Sequence, residues 1–337
     1  MASCFCWSVN RRLVLVGLVI DGQSEGHGVT PIDLSTKPGQ SHTIPWDDFH
    51  ALIRPAYHRP SAKGGRPPFP LEVMLRIHLL QQWFTLSDPL MEEMLIDTPC
   101  FRRFAGIDMV SERIPDETTI LNFRHLLEEH GIGEQIFEAV KQTLKDQGAL
   151  LQEGTILDAT IIHAPSSTKN KKGERDPEMH SVAKGNQWYF GMRCHIGVDA
   201  ASGLVHSVVS TAANVHELNT ASERLHGEEK VVYGDSGHLG IEKRQEFEDK
   251  PCQFRIAMRP GQRRALPDTA EGRLENLFET AKAHLRAKVE HPFRVIKHQF
   301  GFQKTRYRGI KKNDHKLKML FALANLYKIR QRMPATA

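Results

Sequence analysis

Glu290 is the only acidic residue in the segment 282–312, which also carries ten Lys or Arg residues and three His residues. A solvated helix usually mixes both signs, because opposite charges four residues apart stabilise it. A lone carboxylate among cations suits a site that holds a divalent metal against a polyanion, since the cations neutralise phosphates while the acid binds the ion. The competing interpretation is a surface ion-pair ladder with Arg286 and Arg294, each four residues away.

Two aspartates upstream of Glu290 favour the first interpretation. Asp158 lies in GTILDATII, residues 154–162, whose apolar and β-branched run predicts a buried central strand. A charge there is costly unless it is compensated. Asp235 ends the short strand predicted in EKVVYGD, and ligand sites in open α/β sheets gather at the carboxyl ends of strands. The alternatives are a buried Asp paired with an Arg and a turn Asp; Asp199, in VDAASG, is interpreted as a hairpin-turn residue.

Three carboxylates, two from strands and one from a helix, form a suitable set for two Mg²⁺ ions, with Mn²⁺ as a substitute. Hard cations prefer oxygen ligands, and paired ions about 3.5–4 Å apart activate the attacking oxygen and stabilise the leaving oxygen of a phosphodiester. The eighteen histidines raise a zinc hydrolase as an alternative. The HExxH spacing of such enzymes is absent, because His216-Glu217 is not followed by the second His.

The elements that position these residues fall into two regions. Residues 45–150 predict an all-helical domain, either a helix-turn-helix carrier or a plain bundle, from apolar stripes at helical spacing. Those stripes lie at 71–84, 89–96, 116–130 and 134–145. Residues 151–330 predict an α/β domain in the order β-β-β-α-β-α-β-α, with residues 166–180 as a polar loop.

The elements of the second region follow from local patterns. Runs at 189–199 and 204–212 predict a hairpin joined by Ala200–Gly203. Asn214 predicts the N-cap of a helix over Val215–Leu225. A helix over Leu239–Glu248, a strand over Gln253–Met258 and a long helix over Glu271–Phe300 follow, and Pro292 predicts a kink in that last helix beside Glu290.

Composition sets wider limits. The 337 residues are enough for about two domains, and 40% hydrophobic with 25% charged residues is ordinary globular composition. Net charge is +5, and five scattered cysteines without a CxxC pair indicate a reducing compartment, hence the cytoplasm. The leader, residues 1–44, contains an apolar run, Leu13–Ile20, that is too short to span a bilayer. Residues 331–337 are expected to be a tail.

Several blocks together resemble bacterial DDE transposases of the insertion-sequence-five family. They are DATIIHAPSSTKN from Asp158, GNQWYFGMRCHIGVD from Gly185, TAANVHELN from Thr211, GDSGHLG from Gly234 and RAKVEHPFRVIKHQFGFQKTRYRG from Arg286. GGRPPFPLEVMLRIHLLQQW and PDETTILNFRHLLEEHG resemble the family's N-terminal domain. The resemblance covers residues 45–328.

The resemblance implies an RNase H-like five-stranded mixed sheet with flanking helices, preceded by the helical domain. It implies that Asp158, Asp235 and Glu290 are the catalytic, metal-binding acids. Of the Tyr-Arg-Glu-Lys signature of the wider group, Arg286, Glu290 and Lys297 fit the spacing, whereas Ala283 occupies the Tyr position.

The implied function is DNA transposition, in which terminal inverted repeats are cleaved and the 3′-hydroxyl ends are joined to target DNA. Residues 45–150 would bind the DNA ends, and a homodimer would act in the synaptic complex at the nucleoid. Asn214 and His216 are candidates to line the site. Candidate DNA contacts are Arg286, Arg294, Lys297, Lys304, Arg306, Arg308, Lys169, Lys171, Lys172 and, in the same loop, Arg175. The alternatives are a metal-dependent nuclease without joining and a transposase-derived DNA-binding regulator.

Overall fold

The computed structural model describes residues 44–57, 67–108, 113–151, 153–171, 173–248 and 252–329. The leader before Ile44, the tail 331–337 and Lys172 therefore lie outside the described residues. Contacts divide the chain into two compact units. The first comprises the described residues up to Val140, with Gln299–Gly301 and the chain from Lys318; the second comprises Lys141–His298 and Phe302–Leu317. The division into domains at residues 150 and 151 stays a prediction.

The first unit is helical. Its helices are α1 (Trp46–Ile53), α2 (Leu71–Phe84), α3 (Asp88–Asp97), α4 (Pro99–Ala105), α5 (Glu117–Glu129) and the first part of α6 (Ile132–Asp146). Every residue of α2 from Met74 onward is buried, so α2 forms the centre of this core. α4 was not predicted, because seven residues are too few to display helical periodicity.

Polar side chains fix the start of α5 and join it to α3. The Asp116 side chain accepts a hydrogen bond of 2.7 Å from the Thr119 backbone N–H and so caps α5. Within the core, the Arg124 guanidinium pairs with the carboxylates of Asp88 at 2.9 Å and Glu128 at 2.7 Å. These contacts join α3 to α5.

The second unit is built on a six-stranded mixed sheet. The strands are β1 (Gly154–His163), β2 (His180–Lys184), β3 (Gln187–Asp199), β4 (Val205–Ala212), β5 (Val231–Gly234) and β6 (Gln253–Ile256). β3 is antiparallel to β1, β2 and β4, whereas β1, β5 and β6 are parallel. The path β4-β3-β1-β5-β6 supplies the five predicted strands, and the predicted α/β RNase H-like fold class is confirmed.

The sixth strand, β2, corrects the expected strand number. β2 pairs with the first part of β3, most of which extends beyond the end of β1. Gly191 of β3 is where the two pairings meet, because it is opposite His163 of β1 and also opposite His180 of β2. Four of its five residues are exposed, and no alternating apolar pattern therefore marks it in the sequence.

Two predicted helices are wrong. The segment expected to form a helix from Val215 to Leu225 contains two 3₁₀ turns, Glu217–Thr220 and Ser222–Arg224, and His216, not Asn214, caps the first. The Arg224 side chain turns inward and occupies the carbonyls of Glu217 and Thr220, which an α-helix would need for its own N–H groups. Residues 239–248 likewise form two short 3₁₀ turns after Gly240, which has φ +88°.

The remaining helices are α7 (Pro260–Arg264), α8 (Ala270–Arg294) and α9 (Ile310–Ile329). α8 runs through Pro292 and a π-helical turn, Val295–Gln299, follows it, so the helix does not end at Glu290; the kink predicted at Pro292 stays a prediction. Pro292 and Phe293 are buried, so packing holds the helix at this point. No helix among the described residues is long and apolar enough to cross a membrane.

Different elements cover the two faces of β1. Leu157 packs in a core with Ala221, Ile241 and Phe247 from the 3₁₀-rich segment. Thr160 is on the opposite face, since side chains alternate along a strand, and it contacts Lys297 of the π-helical turn. Asp158 shares the face of Thr160 and is therefore on the side that α8 covers.

Candidate active site

Asp158 lies in the middle of β1, opposite Ile196 of β3. Its Oδ1 atom accepts a hydrogen bond of 2.7 Å from the Ala159 backbone N–H. Burial, followed by the charges of Glu217 and Asp235, raises the pKa of Asp158 to about 6. The charge of Arg286 opposes this rise without cancelling it.

Asp235 follows β5 directly and caps the 3₁₀ turn Ser236–His238. Its Oδ1 atom contacts the Gly237 backbone N–H at 3.0 Å and His238 Nδ1 at 2.9 Å. Burial opposes ionisation of Asp235, but the hydrogen bond from His238 and the charge of Arg286 outweigh it, so the pKa lies below its ordinary value. Asp235 is thus held as a carboxylate at the carboxyl end of β5.

Glu217 is the acid that sequence reasoning missed. Oxygens of Glu217 and Asp235 and a ring nitrogen of His238 all lie within 4.8 Å of one another, in an arrangement able to hold a metal ion. Oε1 of Glu217 is 3.5 Å from Arg193 Nη1, whereas Oε2 is buried without a hydrogen-bond partner. Burial and the charge of Asp235 raise the pKa of Glu217. The block TAANVHELN contained this residue, but the helix predicted there hid its inward direction.

The carboxyl groups of Asp158, Glu217 and Asp235 influence one another through their charges and are called the carboxylate cluster. The donor chemistry of the carboxylate cluster fits a hard divalent cation. Asp158, Glu217 and Asp235 offer carboxylate oxygens, which Mg²⁺ and Mn²⁺ prefer. Two of the three carboxyls have a raised pKa that a neighbouring positive ion would lower.

Glu290 lies on α8 and is exposed. Among the described residues it makes no hydrogen bond or ion pair. Arg286, one turn earlier, lowers the pKa of both Asp158 and Asp235 by its charge. Lys297, seven residues later, donates to Thr160 Oγ1 at 2.5 Å and to the Ile161 carbonyl at 3.1 Å. Glu290 therefore lies between two residues of its helix stripe that face β1.

The candidate DNA-contact residues divide into two groups by environment. Arg286 and Lys297 are half-buried at the sheet, and burial lowers the pKa of Lys297. The other described members are exposed to solvent: Lys169, Lys171, Arg175, Arg294, Lys304, Arg306 and Arg308.

Backbone contacts bring two parts of this exposed set together. The Thr305 N–H donates to the His163 carbonyl at 2.7 Å, so the chain carrying Lys304 runs beside the end of β1. Asp176 and Glu178, from the loop after β1, accept from the backbone N–H groups of Gly309 and Ile310 at 2.7 and 2.8 Å. The loop after β1 and the segment 304–310 are therefore neighbours. Their exposed cations are together called the basic surface: Lys169, Lys171, Arg175, Lys304, Arg306 and Arg308.

Asn214 and His216 are exposed in the turn after β4. His216 Nδ1 accepts from the Leu218 backbone N–H at 3.3 Å and so begins the turn that carries Glu217. Asp199, interpreted from the sequence as a turn residue, accepts from the Ser202 N–H at 2.7 Å and the Ser202 hydroxyl at 2.5 Å, which confirms that interpretation.

A family model described as a transposase DDE domain matches residues 150–326, just over half of the chain. A second model, described as a transposase domain (DUF772), matches residues 40–126. The chain therefore belongs to the DDE-domain transposases.

Among solved structures, the chain is similar to the Mos1 transposase paired-end complex with left transposon end. The identity is 14%, covering 71% of this chain and 83% of that chain, with a TM-score of 0.18. At that TM-score the similarity supports no inference about this fold.

Proposed function

We propose that this protein is a DNA transposase that cleaves at the terminal inverted repeats of its own element and transfers the freed 3′-hydroxyl ends into target DNA. The observation that carries the proposal is the convergence of two aspartates from adjacent parallel strands, beside the helix that carries Glu290: Asp158 lies in the middle of β1, and Asp235 directly follows the carboxyl end of β5. Membership of the DDE-domain transposases supports it. Its assignment to the insertion-sequence-five family stays a prediction.

Asp158, Asp235 and Glu290 would hold two Mg²⁺ ions, for which Mn²⁺ substitutes. Bound there, such ions supply charge stabilisation for the attacking and leaving oxygens of a phosphodiester. Asp158 and Asp235 reach the site from the rigid sheet, so their oxygens need little reorganisation. The charge of Arg286 already lowers the pKa of both aspartates, and its guanidinium would donate hydrogen bonds to a phosphate oxygen of the DNA.

DNA would lie along the basic surface beyond the end of β1. Its exposed cations provide phosphate contacts that fix orientation without reading sequence. We assign recognition of the DNA ends to the helical region 45–150, and infer a homodimer in the complex that joins two ends. A protein acting on its own element's DNA would work at the nucleoid in the cytoplasm.

The test is a cleavage and joining assay with the full chain. Labelled duplex carrying the candidate terminal repeat is mixed with target plasmid in Mg²⁺ or Mn²⁺, and in EDTA. Asp158→Asn, Asp235→Asn and Glu290→Gln are each expected to lose at least about 100-fold in cleavage. Glu275→Gln, an exposed substitution of the same kind on the same helix, is the matched control and is expected to retain full activity.

The outcomes separate the alternatives. Metal-dependent cutting and joining that both disappear in the three variants supports the transposase. Nicking of the repeat without joining favours a nuclease. Binding of the repeat in every variant, without chemistry in any metal, favours a regulator and contradicts the proposal.

A further inference from the structure

Arg224 is fully buried and lies directly behind the carboxylate cluster. Its Nη2 atom donates to the Glu217 carbonyl at 2.7 Å, and its Nε atom donates to the Thr220 carbonyl at 3.2 Å. Its Nη1 atom lies 3.4 Å from the Asp158 carbonyl. One guanidinium thus links the backbone of Asp158 to the turn that carries Glu217.

The same guanidinium contacts a second buried side chain. Nη2 of Arg224 lies 3.2 Å from Nε2 of His238, whose side chain is fully buried. An arginine has donors but no acceptor, so Nε2 must accept this hydrogen bond and carries no proton. The proton of a neutral imidazole is then on Nδ1, which lies 2.9 Å from Asp235 Oδ1.

We infer that Arg224 fixes His238 in its Nδ1–H tautomer, and that His238 orients the Asp235 carboxylate for a cation without binding the cation itself. The inference rests on the proposed function, because it concerns the same acidic site. Both residues are positioning residues, acting through Asp235.

The geometry opposes a direct role of His238 as a metal ligand. Each ring nitrogen already has a partner, and a ligating nitrogen would have to give up Arg224 or Asp235. Oδ1 of Asp235 accepts from both His238 and the Gly237 N–H. These two donors turn the carboxylate so that Oδ2 remains for a cation. Hydrogen bonds that a metal ligand accepts from residues not touching the metal typically contribute about 10- to 100-fold to metal affinity or activity.

The direct test is histidine-selective ¹⁵N NMR of the full-length, metal-free protein. The His238 signal is identified by its disappearance in His238→Asn. A protonated Nδ1 and an unprotonated Nε2 are expected, and the pattern should survive a titration with Mg²⁺. A protonated Nε2, or loss of the Nδ1 proton when Mg²⁺ is added, would overturn the inference. This readout needs no catalytic activity, so it decides the inference even if the proposed function fails.

Two variants test the positioning role through activity and metal binding. His238→Asn keeps an N–H donor near the Nδ1 position, whereas His238→Gln places its amide near Nε2 and loses that donor. Asn is expected to retain cleavage within about tenfold of the wild type, and Gln to lose about 10- to 100-fold. Mn²⁺ binding followed by electron paramagnetic resonance should give unchanged stoichiometry in both. Equal losses, or a better Gln variant, would contradict the inference; absence of Mn²⁺ binding in the wild type would contradict the proposed function instead.

Discussion

Lys297 Nζ lies 2.5 Å from Thr160 Oγ1, two residues along β1 from Asp158. A further bond of 3.1 Å to the Ile161 carbonyl completes the attachment. The π-helical turn is thereby fixed to the strand that carries the first acid. Glu290 is seven residues before Lys297, on the helix that leads directly into this turn, so we expect the contact to influence how far Glu290 is from β1.

Replacing Lys297 by Met is expected to destabilise the protein by about 1–3 kcal/mol, because the carbonyl and hydroxyl acceptors of the strand lose their partner. Cleavage should fall while the salt dependence of DNA binding stays constant. Thermal unfolding and binding titrations measure both. Thr160→Val is the control and should cost less, since it spares the Ile161 carbonyl. An unchanged melting temperature with a shallower salt slope would instead indicate that Lys297 contacts phosphate.

Asp158→Asn is expected to stabilise the metal-free protein at pH 8. The folded-state pKa of Asp158 is about 6, above its ordinary value of 3.8. The contribution of this carboxyl group to the free energy of unfolding is therefore fully present below pH 3.8 and is lost as pH rises through 6. The variant removes that loss, a gain of up to about 3 kcal/mol at about 1.4 kcal/mol per pH unit. Denaturant unfolding in EDTA should show the advantage shrinking toward pH 4. An advantage that does not change with pH would contradict the assigned pKa.

Glu217→Gln is expected to stabilise the metal-free protein, because it removes a like charge from beside Asp158 and Asp235. The amide oxygen still accepts from Arg193, so the turn is retained. The affinity for Mn²⁺, measured by calorimetry, should fall. Glu223→Gln, in the next turn, is the control of the same kind and should change neither quantity. Unaltered Mn²⁺ affinity in Glu217→Gln would show that this carboxylate lies outside the cation's reach.

Neutralising Arg306 and Arg308 together by Gln is expected to weaken binding of any DNA sequence. Each lost phosphate contact lowers the slope of log affinity against log salt by about 0.9, so the double variant should lose about 2. Lys230 immediately precedes β5 and is at the opposite end of that strand from Asp235. Lys230→Gln is therefore the matched control and should leave the slope unaltered. Equal slopes for the double variant and the wild type would remove this surface from the DNA path.

Gly234→Ala is expected to reduce cleavage about tenfold with little change in melting temperature. A Cβ atom there would lie 3.0 Å from Cβ and Cγ of His238, so the ring that holds Asp235 must shift. Gly261→Ala, whose Cβ would meet nothing within 4 Å, is the control and should retain activity. Unreduced cleavage in Gly234→Ala would mean that the ring position is not critical.

The sequence predicted the strands of the sheet well where their residues are buried on both faces. β1 and the β3–β4 hairpin were recognisable because apolar and β-branched residues run almost uninterrupted through them. β2 was missed, since a mostly exposed strand has no such pattern. Asp158 and Asp235 can be identified from the sequence because each is a charged residue within, or directly after, an apolar run that predicts a strand.

Glu217 could not be predicted in the same way. Its direction depends on Arg224, which replaces a helix with two 3₁₀ turns by taking up their carbonyls. That is a tertiary interaction between buried groups, and helical propensity in the sequence does not contain it. The environment of Lys297 could not be predicted either, because the sequence of a basic segment does not distinguish a lysine that hydrogen-bonds to a strand from a lysine that contacts phosphate.

α9 belongs to both compact units, because Ile310 to Leu317 pack with the second and the residues from Lys318 with the first. During synthesis this helix is the last described element to leave the ribosome. The early helices therefore complete their own core only after the residues from Lys318 have been synthesised, and a nascent chain stopped before Lys318 lacks that part of the first unit. A fragment ending near residue 150 omits a helix that the first unit uses, so full-length protein is the sound material for DNA-binding measurements.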